Sequence, residues 1–274
     1  YAGNDTIQGL DGNDILYGDQ GADSIDGGAG VDWAYYTSST SGVTIDLGAN
    51  TATGGDAQGD TFTSIERIFG SAHDDTITGD ANANYLRGWS GADQLNGADG
   101  NDFLDGGASG DVLNGGSGSD WAYYTGAAVG QTINLANASL NAGSEATGDT
   151  YISVENVFGS VHADDITGDS GANSLRGFLG DDILEGGAGN DLLRGEAGAD
   201  TFHFILGTGT DTVDDFNAAE DVLLFENYGF ANSAAVIAAA SQSGANVEIG
   251  SGGDTIIVED TLVSALTAVN VQVA

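Results

Sequence analysis

The sequence contains no cysteine, no proline, no methionine and no lysine, and its only strong cations are Arg67, Arg87, Arg176 and Arg194. Without cysteine there are no disulfides and no thiolate metal sites. Any stiffening needed outside a cell must come from something else. Four scattered arginines cannot assemble a basic patch, which argues against nucleic acid as a partner and disfavours anionic membranes. No apolar run approaches the roughly 20 residues of a membrane span. The chain starts at Tyr1 in mid-motif without the pattern of a leader segment, which reads as a mature or excised piece of a longer polypeptide.

What is present is acid and glycine: 42 Asp and Glu, 46 Gly, and a formal charge of −38 over 274 residues. Charge of that size opposes a compact state. Either the chain is disordered, or cations from outside neutralise it. Acidic disorder is short of large apolar residues, whereas here they recur at fixed spacing. The composition therefore favours the cation.

The spacing is nine residues, in the form GGxGxDxUx with U a large apolar residue; Gly27 to Tyr35 reads GGAGVDWAY. In a first block the sixth position is Asp5, Asp14, Asp23 and Asp32, with Ile7, Leu16, Ile25 and Ala34 two residues on. A second block, Gly70 to Tyr123, carries Asp75, Asn84, Asp93, Asp102, Asp111 and Asp120 over Ile77, Leu86, Leu95, Leu104, Leu113 and Ala122. A third, Gly159 to His203, carries Asp164, Asn173, Asp182, Asp191 and Asp200 over Ile166, Leu175, Leu184, Leu193 and Phe202. The glycine-rich half must turn sharply, using φ values that only glycine adopts cheaply. The other half is a short strand whose middle side chain faces inward. Two units make one 18-residue coil, and coils stack at about 4.8 Å. The expected fold is all-β: a parallel β-roll, that is, a right-handed β-helix solenoid of tandem nonapeptide repeats.

This repeat resembles that of the RTX (repeats-in-toxin) hemolysin-type calcium-binding protein family. The resemblance implies multiple Ca²⁺ ions as cofactor. The chemistry agrees: stacked turns bring pairs such as Asp14 and Asp32, Asp75 and Asp93, or Asp182 and Asp200 to one gap, and carbonyls complete an all-oxygen shell. Ca²⁺ accepts 6–8 oxygens in tolerant geometry, and nothing here attracts softer metals. All fifteen sixth-position residues are candidate ligands; Asn84 and Asn173 keep an oxygen but lose a charge, as weaker or terminal sites would. One inward apolar side chain per unit is a thin core to set against ordering nine backbones, so metal binding must supply folding free energy. The chain should be unfolded where calcium is scarce and folded where it is plentiful.

A period of about 88 residues overlies the first. WAYYT at Trp33 recurs at Trp121, and GSAHDDTITGDANANYLRG from Gly70 recurs as GSVHADDITGDSGANSLRG from Gly159. Between the blocks, 1–35, 70–123 and 159–203, lie two matching bridges, 36–69 and 124–158, expected to be coils with larger turns. Asp60 and Asp149, in matched GDT segments, are further candidate ligands. The roll is expected over 1–203. Residues 204–274 resemble the C-terminal region of RTX proteins, a small β-rich cap with a short helix near Asn232–Ser241 and an uncleaved signal for type I secretion from a Gram-negative cell. Solenoids need such caps.

There is no HExxH or GxSxG motif. His73 and His162 occupy equivalent places in duplicated units, as structural residues would; His203 ends the last unit. No catalytic residues are expected, and the chain reads as a non-enzyme. Trp33, Tyr35 and Tyr36 recur as Trp121, Tyr123 and Tyr124, and Trp89 is echoed by Phe178. At outward positions such aromatics suit an extracellular polysaccharide or a protein; alternatively they pack beneath the bridges. The leading reading is a secreted or cell-surface calcium-binding structural protein, self-associating in a surface layer, adhesin or matrix fibre. The alternative is a secretion, folding or carbohydrate-binding module of a larger RTX enzyme such as an epimerase, protease or lipase.

Overall fold

A computed structural model describes residues 2–207 and 209–274. The chain is divided into two compact units, 1–123 with 144–154, and 124–143 with 155–274. Each contains coils of a parallel β-roll.

In the first unit the 18-residue period is written directly in the strand register. Leu16 pairs with Ala34, Leu86 with Leu104, and Leu95 with Leu113. The eighth side chain of every unit from Ile25 onward is 0–1% exposed, and this single inward row is the core of the blocks. In the second unit Leu175 pairs with Leu193 and Leu184 with Phe202, both at the same period.

The bridges are coils too. Thr61–Thr63 extends the sheet of Ser24–Asp26, while Arg67–Phe69 lies between Trp33–Tyr35 and Tyr85–Ser90. The extra residues fold back as the strand Thr51–Thr53, antiparallel to Thr44–Asp46, and a 3₁₀ turn at Gly55–Ala57. Tyr36 is buried beneath this excursion, and its hydroxyl donates to Asp60 at 2.8 Å. In the second bridge, a 3₁₀ turn at Ala138–Leu140 and a bridge between Thr132 and Ala142 take the same place in the second unit.

The nonapeptides stop near Phe204, but the parallel ladder does not. Thr210–Val213 stacks on Leu192–Ala197, and Val222–Glu226 stacks on Thr201–Ile205. The ladder closes with Val271–Val273 on one side and with Asp254–Val258 on the other, followed by the antiparallel strands Asn246–Ser251 and Ala240–Ser243. The helix expected near Asn232–Ser241 is Ser233–Ala239, and the Asn232 side chain caps it by accepting the Ala235 N–H at 3.0 Å. Among the described residues no helix is long and apolar enough to cross a membrane.

Candidate metal centres

The sixth-position residues form ladders. Within the blocks the backbone N–H of a sixth-position residue donates to one carboxylate oxygen of the equivalent residue 18 positions later: Asp5 to Asp23 and Asp14 to Asp32 at 2.7 and 2.8 Å. Asp75 donates to Asp93, Asp93 to Asp111, Asn84 to Asp102 and Asp102 to Asp120, all at 2.7–2.8 Å. In the second unit Asp164 donates to Asp182, Asn173 to Asp191 and Asp182 to Asp200, at 2.8–2.9 Å. The sequence-paired aspartates are thus stacked neighbours, joined through a main-chain N–H rather than carboxylate to carboxylate.

That bond uses one oxygen. The second, Oδ2, is buried without a hydrogen-bond partner in Asp14, Asp23, Asp32, Asp93, Asp102, Asp111, Asp182 and Asp191. A buried carboxylate oxygen in that state is costly unless something positive meets it. It points at the first glycine of its own turn, where a further oxygen converges. A methyl group on Gly88 would lie 2.7 Å from the Gly106 carbonyl oxygen and closer still to Asp93 Oδ2. Only glycine leaves that space to oxygens.

The electrostatics agree. Burial, with smaller contributions from neighbouring carboxylates, pushes Asp111 and Asp182 up to about 8, Asp93 and Asp191 to about 7, and Asp102 and Asp200 to about 6, against the opposing pull of the backbone N–H. Such groups gain from a cation. Among the described residues no three His, Cys, Asp or Glu side chains converge on one point. A shell here would consist of one or two carboxylates and main-chain carbonyls, a donor set that fits calcium.

Four predicted positions differ. Asp75 Oδ2 accepts the Ser71 N–H at 2.6 Å and its Oδ1 accepts the Ser71 hydroxyl at 2.8 Å. Asp164 has the same bonds from Ser160, at 2.5 and 2.9 Å. Asn84 and Asn173 accept the N–H groups of Asp80 and Asp169, at 2.7 and 2.8 Å.

The ladders also include residues outside the nonapeptides. Asp60 accepts the Asp23 N–H, Glu66 that of Asp32, and Asp149 that of Asp111, at 2.8–3.0 Å. Asp211 and Asp221 do the same for Asp191 and Asp200 at 3.2 and 3.0 Å. Sequence reasoning flagged Asp60 and Asp149 and missed Glu66, Asp211 and Asp221. The signal was an acid two residues before an inward apolar residue: Glu66 and Ile68, Asp211 and Val213, Asp221 and Leu223.

The histidines divide as well. His73 and His162 donate their backbone N–H to Ser71 and Ser160 at 3.2 and 3.1 Å. His203 Nδ1 lies 2.9 Å from Glu185 and its Nε2 lies 3.2 Å from Glu226.

The model of the RTX calcium-binding nonapeptide repeat matches residues 1–34, 60–95, 90–122, 158–193 and 176–213. No curated protein matches the chain. Among solved structures the chain is similar to the extracellular lipase LipA from Serratia marcescens, at 19% identity and a TM-score of 0.34. The match covers 76% of this chain and 40% of the lipase, so the chain spans well under half of that enzyme's length.

Proposed function

Because the chain belongs to the RTX calcium-binding nonapeptide repeat family, we propose that it is a secreted protein whose β-roll folds on calcium outside the cell and serves a structural role in a surface layer, adhesin or extracellular matrix. The observation that carries this reading is the row of buried, hydrogen-bond-free Oδ2 atoms. Asp14, Asp23, Asp32, Asp93, Asp102, Asp111, Asp182 and Asp191 would hold the ions together with turn carbonyls. When bound, calcium supplies positive charge that joins successive turns and offsets a −38 chain. We assign residues 1–203 to the roll and 204–274 to a cap that carries the type I export signal. No catalysis is assigned to either.

The test is far-UV circular dichroism with and without a chelator, with light scattering against calcium concentration. Folding on calcium and ordered assembly are expected. A chelated protein that keeps its full β signal would overturn the folding role, and a persistent monomer would favour a secretion or folding module of a larger enzyme.

A specific surface supports a second reading, that of a carbohydrate-binding module. In the first unit, Trp33 lies 5.1 Å from Tyr85 and 5.6 Å from Tyr35, and Phe103 lies 5.4 Å from Tyr123, ring centre to ring centre. These rings are half-buried, whereas Tyr36 and Tyr124 are buried. The Arg67 guanidinium lies 5.3 Å from the Trp33 ring centre and has no carboxylate partner among the described residues. Tyr85, Phe103, Tyr123 and Arg67 line a cleft of about 430 Å³. Aromatic faces beside free donors suit the apolar face and hydroxyls of a sugar ring. Affinity electrophoresis against extracellular polysaccharides tests it: retardation lost in Tyr85→Ala supports the module, and no retardation of the native protein refutes it.

A further inference from the structure

The glycine-rich turns fall into two classes by backbone conformation. In the first class the second residue has a left-handed backbone. This holds for Leu10, Asp19, Gly28, Trp89, Ala98, Gly107, Gly116, Phe178, Gly187 and Glu196, with φ between 58° and 99°. The second class comprises the four turns ending at Asp75, Asn84, Asp164 and Asn173. Their second residues, Ser71, Asp80, Ser160 and Asp169, are not left-handed, nor are their fourth residues, His73, Asn82, His162 and Gly171. The peptide planes of these turns are therefore rotated relative to those of the first class.

In these four turns the side-chain oxygens of the sixth residue are met by hydrogen bonds from the protein. Asp75 accepts from three donors, the Val43 N–H at 2.7 Å and the hydroxyl and N–H of Ser71, so both of its oxygens are engaged. Asp164 is engaged alike at both oxygens by Gln131 and Ser160. At Asn84 the oxygen is committed to the Asp80 N–H, which leaves the amide nitrogen to donate to the Glu66 carbonyl at 3.3 Å. At Asn173 the corresponding bond to the Glu155 carbonyl is 2.8 Å. An amide N–H cannot coordinate a cation. It takes over the cation's task of linking a sixth-position side chain to a carbonyl of the neighbouring coil.

We infer that residues 70–87, and their duplicate 159–176, each form a calcium-independent coil in which serine and asparagine donors replace the ion. This rests on calcium as the ion of the remaining turns. It removes Asp75, Asn84, Asp164 and Asn173 from the ligands and gives the 88-residue duplication a physical meaning: each of the two copies starts from a self-bonded coil on which ion-dependent coils stack. It also accounts for His73 and His162, which stand at a fourth position that no longer requires glycine.

Native mass spectrometry of the full chain at saturating calcium counts the bound ions. Ser71→Ala and Asn84→Ala are expected to keep the native count while lowering the thermal midpoint by several degrees. Asp102→Ala is expected to lose at least one ion. A lower count in Ser71→Ala or Asn84→Ala overturns the inference. A native chain that takes up no calcium overturns the proposed function instead. Hydrogen exchange on the native chain needs no variant. After calcium withdrawal, amides in 70–87 and 159–176 should exchange several-fold more slowly than those in 93–113 and 182–193, and equal or faster exchange overturns the inference.

Discussion

Asp93 accepts the backbone N–H of Asp75 at 2.7 Å through Oδ1, while its Oδ2 is buried without a partner. Burial pushes its pKa to about 7, and those of Asp111 and Asp182 to about 8. A carboxyl whose folded pKa is raised contributes stability below its unfolded value, about 4, and loses it as pH rises through the folded value. In buffer stripped of divalent ions the chain should therefore show more β signal by circular dichroism at pH 5 than at pH 8.5. Protons would partly replace calcium. A stronger signal at pH 8.5 would contradict this.

The inward row makes the core, so its truncation should be costly. Leu104 is fully buried between Leu86 and Ala122 in register. Leu104→Ala is expected to cost roughly 2–5 kcal/mol in urea unfolding at saturating calcium, and an unchanged midpoint would show that the row does not bear the fold.

Leu10 stands at a left-handed position, φ 75°, and is 67% exposed. It pays strain for little burial. Leu10→Gly is expected to stabilise the first unit by about 1 kcal/mol, read as a higher melting temperature. A lower one would mean that the leucine makes a contact worth more than the strain.

His203 lies between Glu185 and Glu226, and the hydrogen bond it donates to the Glu185 carboxylate raises its pKa above the ordinary histidine value, with Glu226 adding to the effect. Its stabilisation is present below about 6.5 and fades as pH climbs through the raised value. His203→Gln should therefore lower the melting temperature more at pH 6 than at pH 9, and an equal loss at both would assign the residue a packing role alone.

Much of the candidate site is legible in the sequence. The nine-residue period placed Asp93, Asp102 and Asp182 at the turn–strand junction and Leu86, Leu95 and Leu104 inside, because strand alternation and glycine turns leave few other arrangements. The ladder beyond the repeats was harder to see. Glu66 sits in TSIERIFG and Asp211 in DTVDDF, with no glycine turn to mark them. Only the pairing of Ile68 with Ala34 and of Val213 with Leu193 shows that each acid continues a column of sixth-position residues.

Sequence alone determined the period, the inward row, the carboxylate columns and the calcium chemistry, because these depend on residue type at fixed spacing. Which turns are shaped for an ion was decided by tertiary structure. Asp19 and Asp80 are the same residue at the same position of the unit, yet Asp19 has φ 58° and Asp80 is not left-handed. Asp80 gives its N–H to Asn84, whose amide reaches a carbonyl of the preceding coil. That exchange of an ion for a hydrogen bond exists only once the coils are stacked.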